Sequence, residues 1–260
     1  MKAVDCPYEI MILNSRQLII PRETYQRSLR TQRVEAIVAD FDERIANEPK
    51  VSCRNGRYYV FDGQHTINAR VARNGGRDLP IRCKVYYGLT ESDEALLFAK
   101  QTGASAKLSP GAEIRANIYG GREIEMHFLH VNESIGLTLD YDQKHGYKRI
   151  ACIKTAFEEF QAIGPDKYKE AMCLLLEAWN GEPDSLRAEN VKGMCRFIDL
   201  YHGEYNPQRM VMQLRKFDPL TIYREGHATG SSLAGYKKYL YQVYRIYNGT
   251  SRKNALPLKF

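Results

Sequence analysis

Tyr58-Tyr59-Val60-Phe61-Asp62-Gly63-Gln64-His65-Thr66-Ile67-Asn68-Ala69-Arg70 is the stretch whose reading decides the fold of this chain. β-branched and aromatic residues run into Asp-Gly, and a helical pattern starts at once. A strand that turns on a glycine straight into a helix leaves the first N–H groups of that helix without partners and pointing outward, which is a ready site for an anion or a phosphate. The same residues also suit an ordinary β-to-α turn in which Gly63 supplies only backbone freedom and Asp62 only turn chemistry.

Upstream, Arg54-Asn55-Gly56-Arg57 separates Val51-Ser52-Cys53 from Tyr58-Tyr59-Val60-Phe61, and Asn-Gly between β-rich runs predicts a hairpin whose second strand delivers Gly63. Before it, the apolar spacing of Val34, Ile37, Val38, Phe41 and Ile45 predicts an amphipathic helix over 31–46 with Thr31 as its N-cap. Tyr25-Gln26-Arg27 reads as a connecting loop, and the alternation from Glu9 to Ile20, stopped by Pro21, reads as a strand. Downstream, the helix after Gly63 should end at Asn74-Gly75-Gly76. Leu79 to Tyr87 then predicts a strand, Thr90 caps a helix carrying Ala95, Leu96 and Phe98, and Leu108-Ser109-Pro110-Gly111-Ala112-Glu113 opens the next helix.

From Gly146 onward no strand pattern is visible. Helical periodicity covers Ile150 to Ile163, Tyr168 to Trp179, Ser185 to Tyr201 and Pro207 to Phe217, with Trp179, Met172, Leu175 and Leu176 as core. After a Gly- and Ser-rich joint, Leu233 to Tyr247 predicts a last helix with an aromatic face. The class is therefore α+β: a mixed α/β domain over 1–120, a helical domain over 121–225, and a basic, tyrosine-rich helix and tail over 226–260.

Composition is that of a globular protein, with 43% hydrophobic and 27% charged residues, and no run is apolar enough to span a membrane. Nothing at the start has the apolar core of a signal peptide, so a cytoplasmic location is expected. The six cysteines are scattered without a C-x-x-C pair and are expected as reduced thiols. His127 and His130 lie three apart, but neither a carboxylate nor a third histidine completes a metal set, so no metal site is assigned. The net charge is +7, and from Gly226 to the end there are basic residues and no acids. Lys237, Lys238, Arg245, Arg252 and Lys253 are the candidate nucleic-acid contacts, with interleaved tyrosines available either to stack bases or to cover a core edge.

The order of elements, Asp62-Gly63-Gln64-His65-Thr66-Ile67-Asn68-Ala69, Leu79-Pro80-Ile81, and Leu108-Ser109-Pro110-Gly111-Ala112-Glu113 together resemble the ParB and sulfiredoxin superfamily over roughly residues 10–116. The whole chain, including Arg224-Glu225-Gly226, Ile246-Tyr247-Asn248 and the 252–257 tail, further resembles ParB-like proteins of phages and mobile elements. The resemblance implies a ParB/sulfiredoxin-like N-terminal domain that grips a nucleoside triphosphate, with magnesium, at the first turn of the elbow helix. Carried over by position, Gly63, Gln64, His65, Thr66 and Asn68 would hold phosphate, with Arg70 as an added cation and Gln101 and Thr102 at the second phosphate motif. Two departures narrow the chemistry. Gln64 stands where sulfiredoxin has its cysteine, which removes the nucleophile. His65 and Thr66 stand where ParB proteins have two basic residues, and Gln101 and Thr102 replace the residues that hold the metal and hydrolyse the nucleotide, so binding without turnover is expected.

The leading expectation is thus a nucleotide- or DNA-phosphate-binding protein. A metal-dependent nuclease or nucleotide hydrolase is the alternative, with Asp62 as carboxylate, His65 as base or phosphate ligand and Glu113 as partner. A second alternative is an interaction protein acting on a host or defence protein. Homodimerisation is left open.

Overall fold

In the computed structural model, which describes residues 8–100, 108–228, 233, 235–250 and 253–260, the chain divides into two units, Met1–Glu123 and Ile124–Phe260. The first is built on a mixed sheet of five strands, β1 (Tyr8–Asn14), β2 (Leu18–Ile19), β3 (Lys50–Arg54), β4 (Arg57–Asp62) and β5 (Pro80–Tyr87), in the order β1-β5-β3-β4-β2. Four helices accompany it: α1 (Thr31–Ala39), α2 (Gln64–Arg73), α3 (Glu91–Ala99) and α4 (Pro110–Tyr119).

The local signals explain most of these elements. Asn55 and Gly56 adopt φ of 50° and 73°, the left-handed pair that a two-residue hairpin turn requires, and Arg54 pairs with Arg57 across it. The Thr90 hydroxyl accepts the Asp93 amide while Asp93 reaches back to the Thr90 amide, a reciprocal cap that starts α3. Ser109 caps α4 ahead of Pro110, where a missing N–H costs nothing. At the far end of α2, the Gly76 amide returns to the Val71 carbonyl at 2.9 Å and closes the helix.

Period-two alternation places consecutive residues of each strand on opposite faces. Val60, Val51, Ile81, Cys83 and Val85 pack with Ile67 of α2 on one face, while Phe61 packs on the other with Tyr25, Ala95 and Phe98 of α3 and Ala116 of α4. Each such fully buried aliphatic or aromatic side chain contributes about 1.5–3 kcal/mol, so the two clusters fix α2 and α3 on opposite sides of β4.

Two sequence expectations are corrected in this unit. The 9–20 run is not one strand: a 3₁₀ turn at Ser15–Gln17 interrupts it, held by the Asp78 carboxylate accepting from the Ser15 hydroxyl at 2.6 Å and the Arg16 amide at 3.0 Å. The helix over 31–46 stops at Ala39, and its N-cap is Arg30, not Thr31. Beyond Ala39, the Asp42 carboxylate takes the Arg44 amide at 2.9 Å and the Arg44 guanidinium, a local alternative to helix. Ile45 accordingly lies exposed, and Phe41 faces the Arg73 guanidinium at 4.6 Å.

The second unit is helical: α5 (Glu123–Ser134, whose first residue closes the first unit), α6 (Ile153–Ile163), α7 (Pro165–Trp179), α8 (Ala188–Tyr201), α9 (Pro207–Leu214), α10 (Thr221–Ala228) and α11 (Lys237–Asn248). It is not all-α, because β6 (Thr138–Leu139) and β7 (Arg149–Ile150) form a short parallel pair. Two residues per strand carry no readable period, so the sequence does not announce them. α6 begins three residues later than read, and Ser185 falls in a 3₁₀ turn, Pro183–Leu186, ahead of α8. Trp179 is core as expected, its indole N–H donating to the Phe217 carbonyl at 3.0 Å. The last helix belongs to this unit: Val243 and Tyr247 are buried, and α11 runs so close to α8 that a Cβ on Gly193 would meet the Tyr239 carbonyl oxygen at 3.0 Å.

Candidate anion-binding site

Gly63 sits at the N-cap of α2 with φ of +100°, and a Cβ there would meet the Pro49 Cα at 3.0 Å. Only glycine combines that left-handed backbone with that close approach. With no side chain, it cannot cap the helix, and the first turn, Gln64-His65-Thr66, opens on a cavity of about 80 Å³. Gln26, Arg27, Arg33, Phe61, Asp62 and Phe98 are among the other residues lining it.

The segment before α1 completes the cavity. Tyr25 is fully buried, and its hydroxyl donates at 2.9 Å to Glu94, a fully buried carboxylate of α3 that also accepts from Arg54 Nε at 2.6 Å. Anchored there, the chain turns Gln26 and Arg27 toward the elbow. Gln26 Nε2 donates to the Val60 carbonyl at 3.0 Å, Gln64 Nε2 to the Arg27 carbonyl at 3.1 Å, and the Arg30 amide to His65 Nε2 at 3.4 Å. Three contacts thus tie residues 26–30 to β4 and to the first turn of α2.

Charge accumulates as a result. Burial and the neighbouring Arg33 and Arg30 lower the pKa of Arg27, with Asp62 acting in the opposite sense. Burial and Arg27, Arg33 and Arg30 likewise depress His65 to about 4, which makes it a neutral imidazole near pH 7. Asp62 is already engaged, its carboxylate 3.1 Å from the Lys50 ammonium. Among the described residues, Arg27 Nε is buried without a hydrogen-bond partner, as are the Gln26 and Gln64 carboxamide oxygens. A buried guanidinium N–H left unpaired is costly, and a bound anion would supply the missing acceptor.

The structure brings together Asp62, Gly63, Gln64, His65 and Thr66 of the sequence-assigned residues. Asn68, Arg70 and Glu113 are left outside the cavity lining. Asn68 Nδ2 donates back to the Gln64 carbonyl at 2.7 Å, and Arg70 reaches Glu43 at 2.8 Å; neither lines the cavity. Glu113 is exposed on the first turn of α4 and is absent from the lining, so it is not assembled with Asp62 and His65 as a catalytic pair. Gln101 and Thr102 lie outside the described residues, as does Arg252.

Sequence reading missed Arg27, Arg30 and Arg33, the residues that make the cavity positive. Its only available signal was the arginine spacing through 27–33, which local patterning assigned to a loop and a helix surface.

Of the basic residues assigned to nucleic acid, Lys237 and Lys253 are exposed. Lys238 lies over the Tyr239 ring at 4.9 Å, and Arg245 pairs with Glu225 at 3.0 Å. Tyr244 and Tyr247 are used in packing: the Tyr244 hydroxyl donates to the Leu256 carbonyl at 3.0 Å and the Tyr247 hydroxyl accepts from the Asn206 amide at 2.9 Å. They cover a core edge and do not form a free stacking surface. His127 and His130 join no cluster of three or more His, Cys, Asp or Glu among the described residues.

Residues 20–260 match the model described as a family of unknown function, DUF6551. The chain belongs to that family. The matched span takes in the arginine segment, the elbow and the whole helical unit, so the DUF6551 model covers the cavity and the C-terminal helix together. No curated protein matches the chain. Among the described residues, no helix is long and apolar enough to cross a membrane.

Proposed function

We propose that this DUF6551 chain binds a phosphate-bearing ligand, a nucleotide or the DNA backbone, in the cavity between Arg27 and the first turn of α2. The observation that carries the reading is the buried Arg27 Nε without a partner, set beside the uncapped N-terminus of α2. Arg33 and Arg30 add positive charge, and the α2 dipole points its positive end the same way. The cavity is smaller than the roughly 300–1,000 Å³ of sites that enclose a drug-sized ligand, so it suits one phosphate group, with the remainder of the ligand outside.

This reading keeps the ParB-like assignment of the N-terminal unit and alters its details. In place of consecutive basic residues at His65 and Thr66, positive charge arrives from Arg27, Arg30 and Arg33 in the preceding segment. Holding an anion is better supported than transforming one, since Asp62 is paired with Lys50 and Glu113 stands apart from the cavity. The C-terminal lysines would add weaker, salt-dependent contacts if the ligand is DNA.

Calorimetric titration with nucleoside triphosphates, with and without magnesium, together with DNA binding across a salt series, tests the proposal. Saturable nucleotide binding, or DNA affinity that falls steeply with salt, supports it. Absence of both, in a chain shown to be folded, rejects it.

A further inference from the structure

The sheet of the first unit has two edges, and they are protected differently. β2, at one edge, is two residues long. β1, at the other, pairs with β5 along all seven of its residues, from Tyr8 opposite Tyr86 to Asn14 opposite Pro80, and this pairing occupies only one side of the strand. Its sequence, Tyr-Glu-Ile-Met-Ile-Leu-Asn, contains no proline, lysine or arginine, and its register with β5 is unbroken by a bulge. Proline, bulges and charged side chains, lysine above all, ordinarily stop an edge from pairing with another chain, and of these β1 carries only the charge of Glu9.

The side chains are unusual too. Tyr8, Ile10 and Ile12 share the face opposite Leu13 and are 53%, 44% and 72% exposed. A row of three large apolar side chains in water, along an edge that no other strand among the described residues pairs with, is what a strand-pairing surface looks like.

We propose that β1 pairs antiparallel with β1 of a second copy of this chain, about a two-fold axis at Ile10, so that two sheets join into one. The strand is self-complementary in that register. Ile10 meets Ile10 of the second copy, and Tyr8 meets Ile12 in both directions, so every exposed apolar residue on that face gains an apolar partner. On the other face Glu9, which accepts from the Tyr87 hydroxyl at 3.2 Å, lies opposite Met11 of the second copy, and no acid faces an acid.

Charge does not oppose the pairing. The nearest basic residues on the Ile10 face are Arg82 and Lys84 of β5, and Arg82 is paired with Glu48 at 3.0 Å. With strands about 4.8 Å apart, Lys84 and its copy would be about 14 Å from each other, beyond the Debye length of about 8 Å at physiological salt. In that register Tyr8–Ile12 meet their copies, five residues a side against the roughly 20–30 of a standard interface, so the dimer should be reversible and dependent on concentration.

Sedimentation equilibrium of the full chain tests this, with Ile12→Lys as the edge-blocking variant and Ile19→Lys on β2 as the control. The wild type and the Ile19 variant are expected to dimerise with rising concentration, while the Ile12 variant stays monomeric, its thermal midpoint matching that of the wild type at dilutions where the wild type is also monomeric. Ile10→Cys provides an independent reading, because directly opposed residues on the axis lie about 4.5–5.5 Å apart between Cα atoms, within the range of a disulfide. On mild oxidation it should give a covalent dimer that the wild type, with its native cysteines, does not. A monomeric wild type at all concentrations, a dimer that survives Ile12→Lys, or an Ile10→Cys chain that fails to cross-link would each overturn the proposal.

Discussion

The Gln64 carboxamide donates Nε2–H to the Arg27 carbonyl at 3.1 Å, joining the first residue of α2 to a segment 37 positions earlier. That bond, with the Arg30 amide on His65 Nε2, positions three arginines beside a helix N-terminus that glycine leaves uncapped. The positive cavity follows from this tertiary stitching and not from any contiguous motif.

Removing the Arg27 guanidinium should cost little stability, because burial, Arg33 and Arg30 oppose its charge, only Asp62 favours it, and its buried Nε makes no hydrogen bond. Arg27→Met, which keeps an unbranched apolar stem, is expected to leave the urea midpoint unchanged or to raise it by up to about 1 kcal/mol in stability, since an uncompensated buried polar group is removed. An ordinary structural arginine would show a clear loss instead.

Gly63→Ala should cost about 1–3 kcal/mol, through a left-handed backbone and a Cβ forced against Pro49. Chemical denaturation measures it. A neutral result would mean that the elbow backbone relaxes freely and does not hold the first turn of α2 in place.

Glu94→Ala leaves Arg54 and the buried Tyr25 hydroxyl without their shared acceptor and should cost about 3–5 kcal/mol, the penalty for breaking a buried charged pair. Glu94→Gln keeps the shape and should cost less. Both should also weaken anion binding, because Tyr25 anchors the segment that carries Arg27; an unchanged affinity in a folded Glu94→Gln chain would separate the two.

His65 gives a pH signature. Its pKa is about 4 in the folded chain and about 6.5 when unfolded, so between these values the unfolded state binds more protons. Stability should therefore be full above about pH 6.5, fall as pH drops toward about 4, and level off below, by at most about 3 kcal/mol from this residue. Comparing urea midpoints of the wild type and His65→Gln at neutral and acid pH isolates the contribution, which should be missing in the variant. Because a bound anion favours imidazolium, phosphate affinity should also rise as pH falls through the same window.

Much of the first unit was legible because its signals are local. Asn55-Gly56, the Thr90 box, Ser109-Pro110 and Asn74-Gly75-Gly76 each fix a turn or a helix end within a few residues. Where the pattern misled, a side chain had a stronger local alternative: Asp42 ended α1 early, and Asp78 broke the β1–β2 run from 62 or more residues away. The elbow was readable as geometry, but its chemistry was not. By spacing alone Arg70, one turn beyond Thr66, is placed to compensate for the absent basic residues, yet it faces Glu43, and Arg27 from a nominal loop takes that place. Likewise Tyr244 and Tyr247 interleave with basic residues in sequence, while their hydroxyls are committed to the Leu256 carbonyl and the Asn206 amide.

The most direct test of the central claim is calorimetric titration of pyrophosphate into the wild type and into Arg27→Met at low ionic strength. A charge-assisted hydrogen bond to the anion is worth about 1.5–3 kcal/mol, so the variant should bind about ten- to a hundred-fold more weakly while its melting temperature stays level. Equal affinity in the two proteins, with both folded, would contradict the assignment of the Arg27 cavity as the anion site.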